Sequence, residues 1–333
     1  MSQLPWHQQP CLQLGHWPTP LEPLRNLSAE LGGPTIWVKR DDCTGLAVGG
    51  NKTRKLEYLM GDALARGADT VVTFGAVQSN HARQTAAACA KAGLTCHQIL
   101  SRSVANDNPG YESNGNVLLG NLLGAKQHIV DVEDTRDLTR SLLADLKAAG
   151  HEPYIIPAGG SNAQGALGYA RCAEELQQQC MELGINLDCV VHASSSAGTQ
   201  AGLLYGLAQL GCQPRVLGIN VYHDDPGQLQ QRVAALLEDL QQEFGHAESA
   251  PPAVEVNHAY LGDGYGQPTA QCLSAIRMAA SLEGLLFDPV YSGKALAAMI
   301  DQVTLGNLQK FDDVILIHTG GSPALYVYEQ AFA

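Results

Sequence analysis

The segment best suited to covalent chemistry is Gly49-Gly50-Asn51-Lys52-Thr53-Arg54-Lys55. Two glycines let the backbone approach a ligand where a side chain would block it. Asn51 is expected to cap the helix that follows, which places Lys52 in its first turn. There the helix dipole and the free amides disfavour an ammonium, and Arg54 and Lys55 add positive charge nearby in sequence. Each effect lowers the pKa of Lys52, as an amine that attacks a carbonyl requires. An exposed lysine on a surface loop is the alternative that this segment alone leaves open.

Four other segments carry polar groups where a strand meets a helix or a turn. Gln78-Ser79-Asn80-His81 opens a helix, and its free amides with the Ser and Asn side chains suit a carboxylate. An ordinary helix cap with a surface histidine fits equally well. Ala193-Ser194-Ser195-Ser196-Ala197-Gly198-Thr199-Gln200 opens another helix. Three serines and a threonine exceed what capping needs, and backbone N–H groups with short hydroxyls suit a phosphate monoester. The segment lacks the lysine of a nucleoside-triphosphate loop. His318-Thr319-Gly320-Gly321 ends a strand, the side of an open α/β sheet where ligands sit. Tyr291, in Asp288-Pro289-Val290-Tyr291-Ser292, and Tyr265, in a glycine-rich stretch, each read as ring packing or as a site residue. The chain has no G-x-G-x-x-G, which disfavours a nicotinamide dehydrogenase, and no G-x-S-x-G. No His/Cys spacing suggests zinc, and no metal is expected.

These segments need elements to hold them, and hydrophobic periodicity supplies the elements. Strands are expected at 36–38, 70–74, 96–100, 189–193, 216–221, 285–288 and 314–318. Helices are expected from 51 to Gly67 and at 80–91, 115–123, 137–149, 162–179, 198–210, 228–242, 269–282 and 294–303. The strands read as continuous apolar runs, the mark of parallel strands covered on both faces by crossover helices. The fold class is therefore α/β with open, mainly parallel sheets. Pattern alone does not separate one large sheet from two lobes.

Bulk composition narrows the partners. Of 333 residues, 45% are hydrophobic and 16% charged, which suits a folded globular chain. The formal net charge is −13. With no Lys/Arg cluster, nucleic acid and acidic membranes are not expected partners. No run approaches the roughly 20 apolar residues of a membrane helix, and the first residues lack the pattern of a secretory signal. The nine cysteines contain no C-x-x-C and are odd in number, as expected for free thiols in a reducing cytoplasm.

Taken together the segments resemble the fold-type-II pyridoxal-phosphate (PLP) enzymes that include D-cysteine desulfhydrase, L-cysteate sulfo-lyase and 1-aminocyclopropane-1-carboxylate deaminase. The resemblance runs from Pro18-Thr19-Pro20-Leu21 to His318-Thr319-Gly320-Gly321. It is carried most specifically by Lys39-Arg40-Asp41-Asp42, residues 49–57 and residues 78–86. It implies a tryptophan synthase β-like architecture of two lobes, a large one of residues 1–52 and 162–333 and a small one of 53–161, with PLP between them. Lys52 resembles the Schiff-base lysine. Ser194, Ser195, Ser196, Ala197, Gly198 and Thr199 resemble the phosphate cup, with Ser195 where a glycine is usual. Asn80 looks like the neighbour of the ring hydroxyl, and Thr319 like the partner of the pyridine nitrogen. Gln78, Ser79, Asn80 and His81 resemble the binders of a small amino-acid substrate, and Tyr265 and Tyr291 the tyrosines flanking cofactor and substrate. Ser292 stands where the deaminase has a glutamate near the pyridine nitrogen. A serine cannot enforce the ring proton that cyclopropane opening needs, so the deaminase is disfavoured. The segments around Cys43, Asn80 and Ser292 lean toward L-cysteate sulfo-lyase, with D-cysteine desulfhydrase as the alternative. The resemblance also implies a homodimer.

Overall fold

The computed structural model describes residues 4–333. Its main elements, in chain order, are β1 (Leu21–Pro23), α1 (Arg25–Leu31), β2 (Thr35–Lys39), α2 (Lys52–Ala65), β3 (Thr70–Ala76), α3 (Asn80–Ala92), β4 (Thr95–Ser101), α4 (Asn116–Leu122), β5 (Lys126–Val130), α5 (Thr135–Ala148) and β6 (Pro153–Ile156). They continue with α6 (Ala163–Leu183), β7 (Cys189–Ser194), α7 (Gly198–Gln209), β8 (Arg215–Asn220), α8 (Pro226–Phe244), β9 (Glu255–Asn257), α9 (Ala270–Glu283), α10 (Ser292–Thr304) and β10 (Asp313–Ile317).

The strands form two sheets. One has six strands in the order β1-β2-β10-β7-β8-β9, and the other four in the order β5-β4-β3-β6. Every pairing is parallel except that of β1 with β2. The architecture is thus α/β of the expected class. The reason lies in strand periodicity. Successive side chains of a strand point to opposite faces, and in the central strands both sets are apolar. Val190, Ile315 and Ile317 pack among residues of α6, α7 and α8, whereas Cys189, Val191, Val314 and Leu316 pack among those of α1, α9 and α10. In the smaller sheet Val71 packs with Leu56, Leu59 and Met60 of α2 and with Ala86 and Ala88 of α3, while Val72 and Ile99 meet Leu146 of α5.

Two expectations are corrected. Residues 285–288 form no strand and pair with none. Their apolar side chains are used for packing, with the Phe287 ring stacked on His318 at 3.9 Å between centroids. Asp288 then turns the chain by accepting the amides of Val290, Tyr291 and Ser292 (2.7–2.9 Å). Asn51 makes no side-chain cap; its backbone is already helical at φ −64°, ψ −19°. Its side chain instead reaches Lys52 and Thr199. Helix α1 and the short strands β1, β5, β6 and β9 were not foreseen, being too brief or too exposed to print an apolar run.

Helix α2 lies between the two sheets. It packs on the smaller one, as above, and against α6, where an added Cβ at Gly168 would fall 2.2 Å from the Arg54 carbonyl oxygen. Arg54 fixes the helix. Its guanidinium donates to both oxygens of Asp41 (2.7 and 2.9 Å), to both oxygens of Glu175 (3.0 and 3.1 Å) and to Thr19 Oγ1 (2.9 Å). Tyr169 Oη donates to the same Asp41 (2.6 Å), and Lys39 pairs with Glu175. Burial alone would raise the Glu175 carboxyl, but Arg54 and Lys39 hold it at about 2. One turn on, buried Glu57 accepts the amides of Leu14 (2.8 Å) and Gly15 (3.0 Å) and the indole N–H of Trp17 (2.6 Å), which ties the N-terminal segment to α2.

The Arg54 side chain is 2% exposed and that of Asp41 0%. Removing one partner of such a cluster strands a buried charge, at about 3–5 kcal/mol. Arg54→Met is expected to lower the unfolding free energy by that order, read from urea denaturation. Arg102→Met, which breaks an ion pair on the surface, is expected to leave the midpoint where it was.

Candidate active site

A cavity of about 260 Å³ opens where the carboxyl ends of β3, β4 and β7 and the N-termini of α2, α3 and α7 converge. Lys52 lies on its wall. The turn that delivers it is strained: Ala47, Val48, Gly49 and Gly50 all have positive φ (41°, 68°, 71° and 125°). A side chain at Gly49 would strike the Asp42 carbonyl oxygen at 1.8 Å, so that position is restricted to glycine by space as well as by φ. Arg83 of α3 clamps this turn through Nη1, which donates to the Ala47 and Gly49 carbonyls (2.5 and 2.7 Å).

Lys52 Nζ donates to Asn51 Oδ1 at 2.8 Å. Its pKa is lowered to about 8, first by loss of water and then by the Arg83 charge, against the opposing pull of Asp288 and Asp41. This corrects the origin expected from sequence. Arg54, although two residues away, is paired with carboxylates, and the cation that acts on Lys52 comes from α3. The magnitude matters: at pH 7 an amine of pKa 8 is about one-tenth free base, against less than about one in a thousand for an ordinary lysine.

Opposite Lys52 stands the turn from β7 into α7. Ser194, Ser195, Ser196, Ala197 and Thr199 all line the cavity. Ala197, at φ +71°, is the N-cap position of α7. Ser196 Oγ lies 2.8 Å from Ser161 Oγ, and the Ser195 carbonyl accepts from His223 Nε2 (2.9 Å). Ser194 Oγ is turned to Gln200 (3.1 Å). Gly198 does not reach the lining, but a Cβ there would come within 2.6 Å of Ser161 Oγ and 2.8 Å of Lys55 Nζ.

Lys55 and Ser161 were missed from sequence. Lys55 is buried, and its Nζ donates to Ser161 Oγ (3.0 Å) and the Gly159 carbonyl (3.2 Å). Among the described residues it has no carboxylate partner. Burial, then Lys52, hold its pKa well below the ordinary value. The signal was present: residues three apart share a helix face, so a lysine at 55 follows Lys52 toward the cavity.

The remaining predicted residues divide. Ser79, Asn80, His81, Tyr265, Tyr291 and Thr319 line the cavity. Ser79 Oγ accepts the Ala82 amide as the α3 cap (3.1 Å). Asn80 Oδ1 accepts from Asn116 (2.9 Å), which leaves its NH₂ for a ligand. His81 Nε2 meets Thr73 Oγ1 (2.8 Å), while its buried Nδ1 has no partner among the described residues. Burial, then Lys52 and Lys55, keep this imidazole neutral. The hydroxyls of Tyr265 and Tyr291 are in contact, and burial pushes both phenols far above their ordinary pKa. Gln78 is not brought to the cavity. Its NH₂ donates to the Tyr111 and Asn114 carbonyls (2.5 and 3.0 Å) and its Oε1 accepts the Asn116 amide (2.9 Å), so the side chain holds the loop before α4. Ser292 also faces away, bound to Asp288 Oδ2 at 2.5 Å.

These features fit PLP. A buried lysine without a counter-ion beside the N-terminus of a 12-residue helix suits a phosphate dianion, whose charge would restore the proton that burial disfavours. Lys52, of lowered pKa, lines the same cavity as that helix start, and so does the free carboxamide of Asn80. Fold and cavity together define the class of a PLP-binding α/β enzyme. The comparisons agree: residues 12–320 match the family model described as pyridoxal-phosphate dependent enzyme, and the chain belongs to that family. It is similar to proteins named D-cysteine desulfhydrase from Klebsiella pneumoniae (strain 342) and from Serratia proteamaculans (strain 568), each 44% identical over 322 residues and 96% of both chains. A crystal structure of an ACC deaminase homologue superposes with a TM-score of 0.86 at 35% identity, covering 98% of this chain and 96% of that one. A PLP-dependent aspartate racemase shares the fold, with a TM-score of 0.65 at 17% identity over 91% and 90% of the two chains.

Because only the neutral amine captures the cofactor, the rate at which apoprotein binds PLP is expected to rise with pH through about 8 and then level. Arg83→Met removes a like charge, which raises the Lys52 pKa, so the midpoint is expected to move upward. Stopped-flow absorbance across pH measures both.

Proposed function

We propose that this protein is a carbon–sulfur β-lyase that converts D-cysteine and water to pyruvate, ammonia and sulfide. The supporting observation is a cavity that joins a lysine of lowered pKa to a pair of neutral tyrosines, in a chain 43–45% identical to proteins named D-cysteine desulfhydrase. That likeness favours the second of the two lyases considered from sequence over the first.

When bound, PLP supplies an electron sink for the α-carbanion. The protein's residues do the rest. The Ser194–Thr199 turn and Lys55 would hold the phosphate, and Asn80 and Thr319 would serve the ring hydroxyl and the pyridine nitrogen. Lys52 carries the cofactor between turnovers and, once displaced by the substrate amine, removes the α-proton as general base. Ser79 and the first amides of α3 hold the substrate carboxylate. Tyr265 and Tyr291, kept protonated by burial, would donate a hydrogen bond to the departing sulfur, which leaves as hydrosulfide with the proton of its own thiol. The two lobes meeting at this cavity are taken as residues 1–52 with 162–333, and 53–161, and a cytoplasmic homodimer is part of the same proposal.

L-cysteate remains as a second reading, on one observation. No Asp or Glu lines the cavity among the described residues, although the chain carries a net −13. Arg232 of α8 stands at the cavity mouth, exposed and with no ion-pair partner among them, and suits a second acidic group on the substrate.

Lys52→Ala is expected to abolish both turnover and the cofactor absorbance of the covalently held form; an unchanged spectrum sinks the assignment. A panel of D-cysteine, L-cysteine, L-cysteate and 1-aminocyclopropane-1-carboxylate, scored for sulfide, sulfite and pyruvate, identifies the substrate. Arg232→Ala is expected to leave KM for D-cysteine unchanged; a several-fold rise in KM confined to L-cysteate supports the second reading.

A further inference from the structure

Tyr265 sits in an irregular loop, yet its hydroxyl must meet that of Tyr291 at the cavity wall. The loop has little structure of its own. Gly262, Gly264 and Gly266 take φ of +69°, +131° and +80°, and no regular element covers residues 261–266. Beneath it lies Lys294, in the first turn of α10 and three residues after Tyr291. Its side chain is 0% exposed. Its Nζ donates to the carbonyl of Leu261 (2.6 Å) and to that of Gly264 (3.2 Å), and it has no ion-pair partner among the described residues. Tyr328 Oη holds the far side through the Gly266 carbonyl (2.8 Å).

A buried amine without a carboxylate is a costly way to fill space. A methionine of similar length would pack there without that cost, but would leave two loop carbonyls unpaired. What the amine adds is direction: it fastens both ends of the Leu261–Gly264 turn to the helix whose N-cap is Tyr291. The Tyr265 ring then lies 5.8 Å from that of Tyr291 and 4.7 Å from that of Tyr222, tilted by about 60° to each.

We infer that Lys294 is a positioning residue for the Tyr265–Tyr291 hydroxyl pair: it makes no contact with the cavity and acts on turnover through Tyr265. The inference rests on the reading of Tyr265 as a hydrogen-bond donor to the departing sulfur.

The test is a double-mutant cycle on the holoenzyme: Lys294→Met, Tyr265→Phe and the double variant, assayed on the substrate that the panel identifies. Lys294→Met is expected to lower kcat about tenfold, with KM and the cofactor absorbance retained. In the Tyr265→Phe background it is expected to cost less than about twofold more, because a residue acting through another is non-additive with it. The same factor in both backgrounds overturns the inference, and so does a loss confined to KM or to bound cofactor. A silent Lys294→Met overturns it as well. A silent Tyr265→Phe is a different failure: it removes the hydrogen-bond-donor reading and the inference with it. Should Lys294→Met not fold, Lys294→Gln, which still donates to one carbonyl, enters the same cycle.

Discussion

Within four residues of one helix, Lys52, Arg54 and Lys55, three cations are taken out of bulk water. Desolvating one ammonium or guanidinium without compensation would cost more than the stability of an ordinary domain, so each must be resolved, and α2 resolves them in three different ways. Arg54 is neutralised by Asp41 and Glu175. Lys52 sheds part of its charge by a lowered pKa. Lys55, held by a hydroxyl and a carbonyl, is pushed well below its ordinary pKa by burial, and an anion at the helix N-terminus beside it would restore its charge. The first resolution makes the other two possible. With Arg54 and Glu57 gripping the large sheet's helix layer and the N-terminal segment, the helix cannot rotate to let either lysine reach solvent.

That constraint also explains where sequence reading succeeded. The central strands of the large sheet are apolar on both faces, and such runs declare themselves. Lys52 announced itself through the glycines that its strained approach demands. Failures came where the same signal has two physical causes. An apolar run at 285–288 looks like a buried strand, but its side chains fill the core beside His318 while its backbone turns away under the control of Asp288. Asn51 has the residue type of a cap, but the cavity wins its side chain because Lys52 and Thr199 are both within reach. Gln78 adjoins Ser79 in sequence, yet the strand-to-helix turn sends its amide toward the α4 loop.

The identity of the charge that tunes Lys52 was beyond any local reading. Arg54 is nearer in sequence, but a cation already paired with two carboxylates exerts little net field. Arg83 is 31 positions away, bound mainly to carbonyls and a carboxamide, and its charge stays uncancelled. Proximity along the chain measures distance; pairing decides effect, and pairing is set by the tertiary fold. The same reasoning covers Lys55, whose burial was legible from its spacing while its lack of a counter-ion was not.

The cavity's two walls differ in how they are built, and this bears on how one scaffold can serve several reactions. The proposed phosphate side is made of backbone at a helix start, together with a lysine locked onto α2; changing it would disturb the helix layer of the large sheet. The proposed substrate side relies more on individual side chains: Tyr265 from a glycine-rich turn, Tyr291 from a helix cap, Tyr222 from the loop after β8 and Arg232 from α8. Ser292 illustrates the difference. It is engaged with Asp288 and turned from the cavity, so the lining there is Thr319, whose hydroxyl carries no charge. If Thr319 takes the pyridine nitrogen, as proposed, an uncharged partner favours chemistry with a good leaving group at the β-carbon over chemistry that must open a strained ring unaided. Ser292 also keeps Asp288 fixed, and Asp288, by binding the Tyr291 amide, sets the side chain of Tyr291 on the cavity wall.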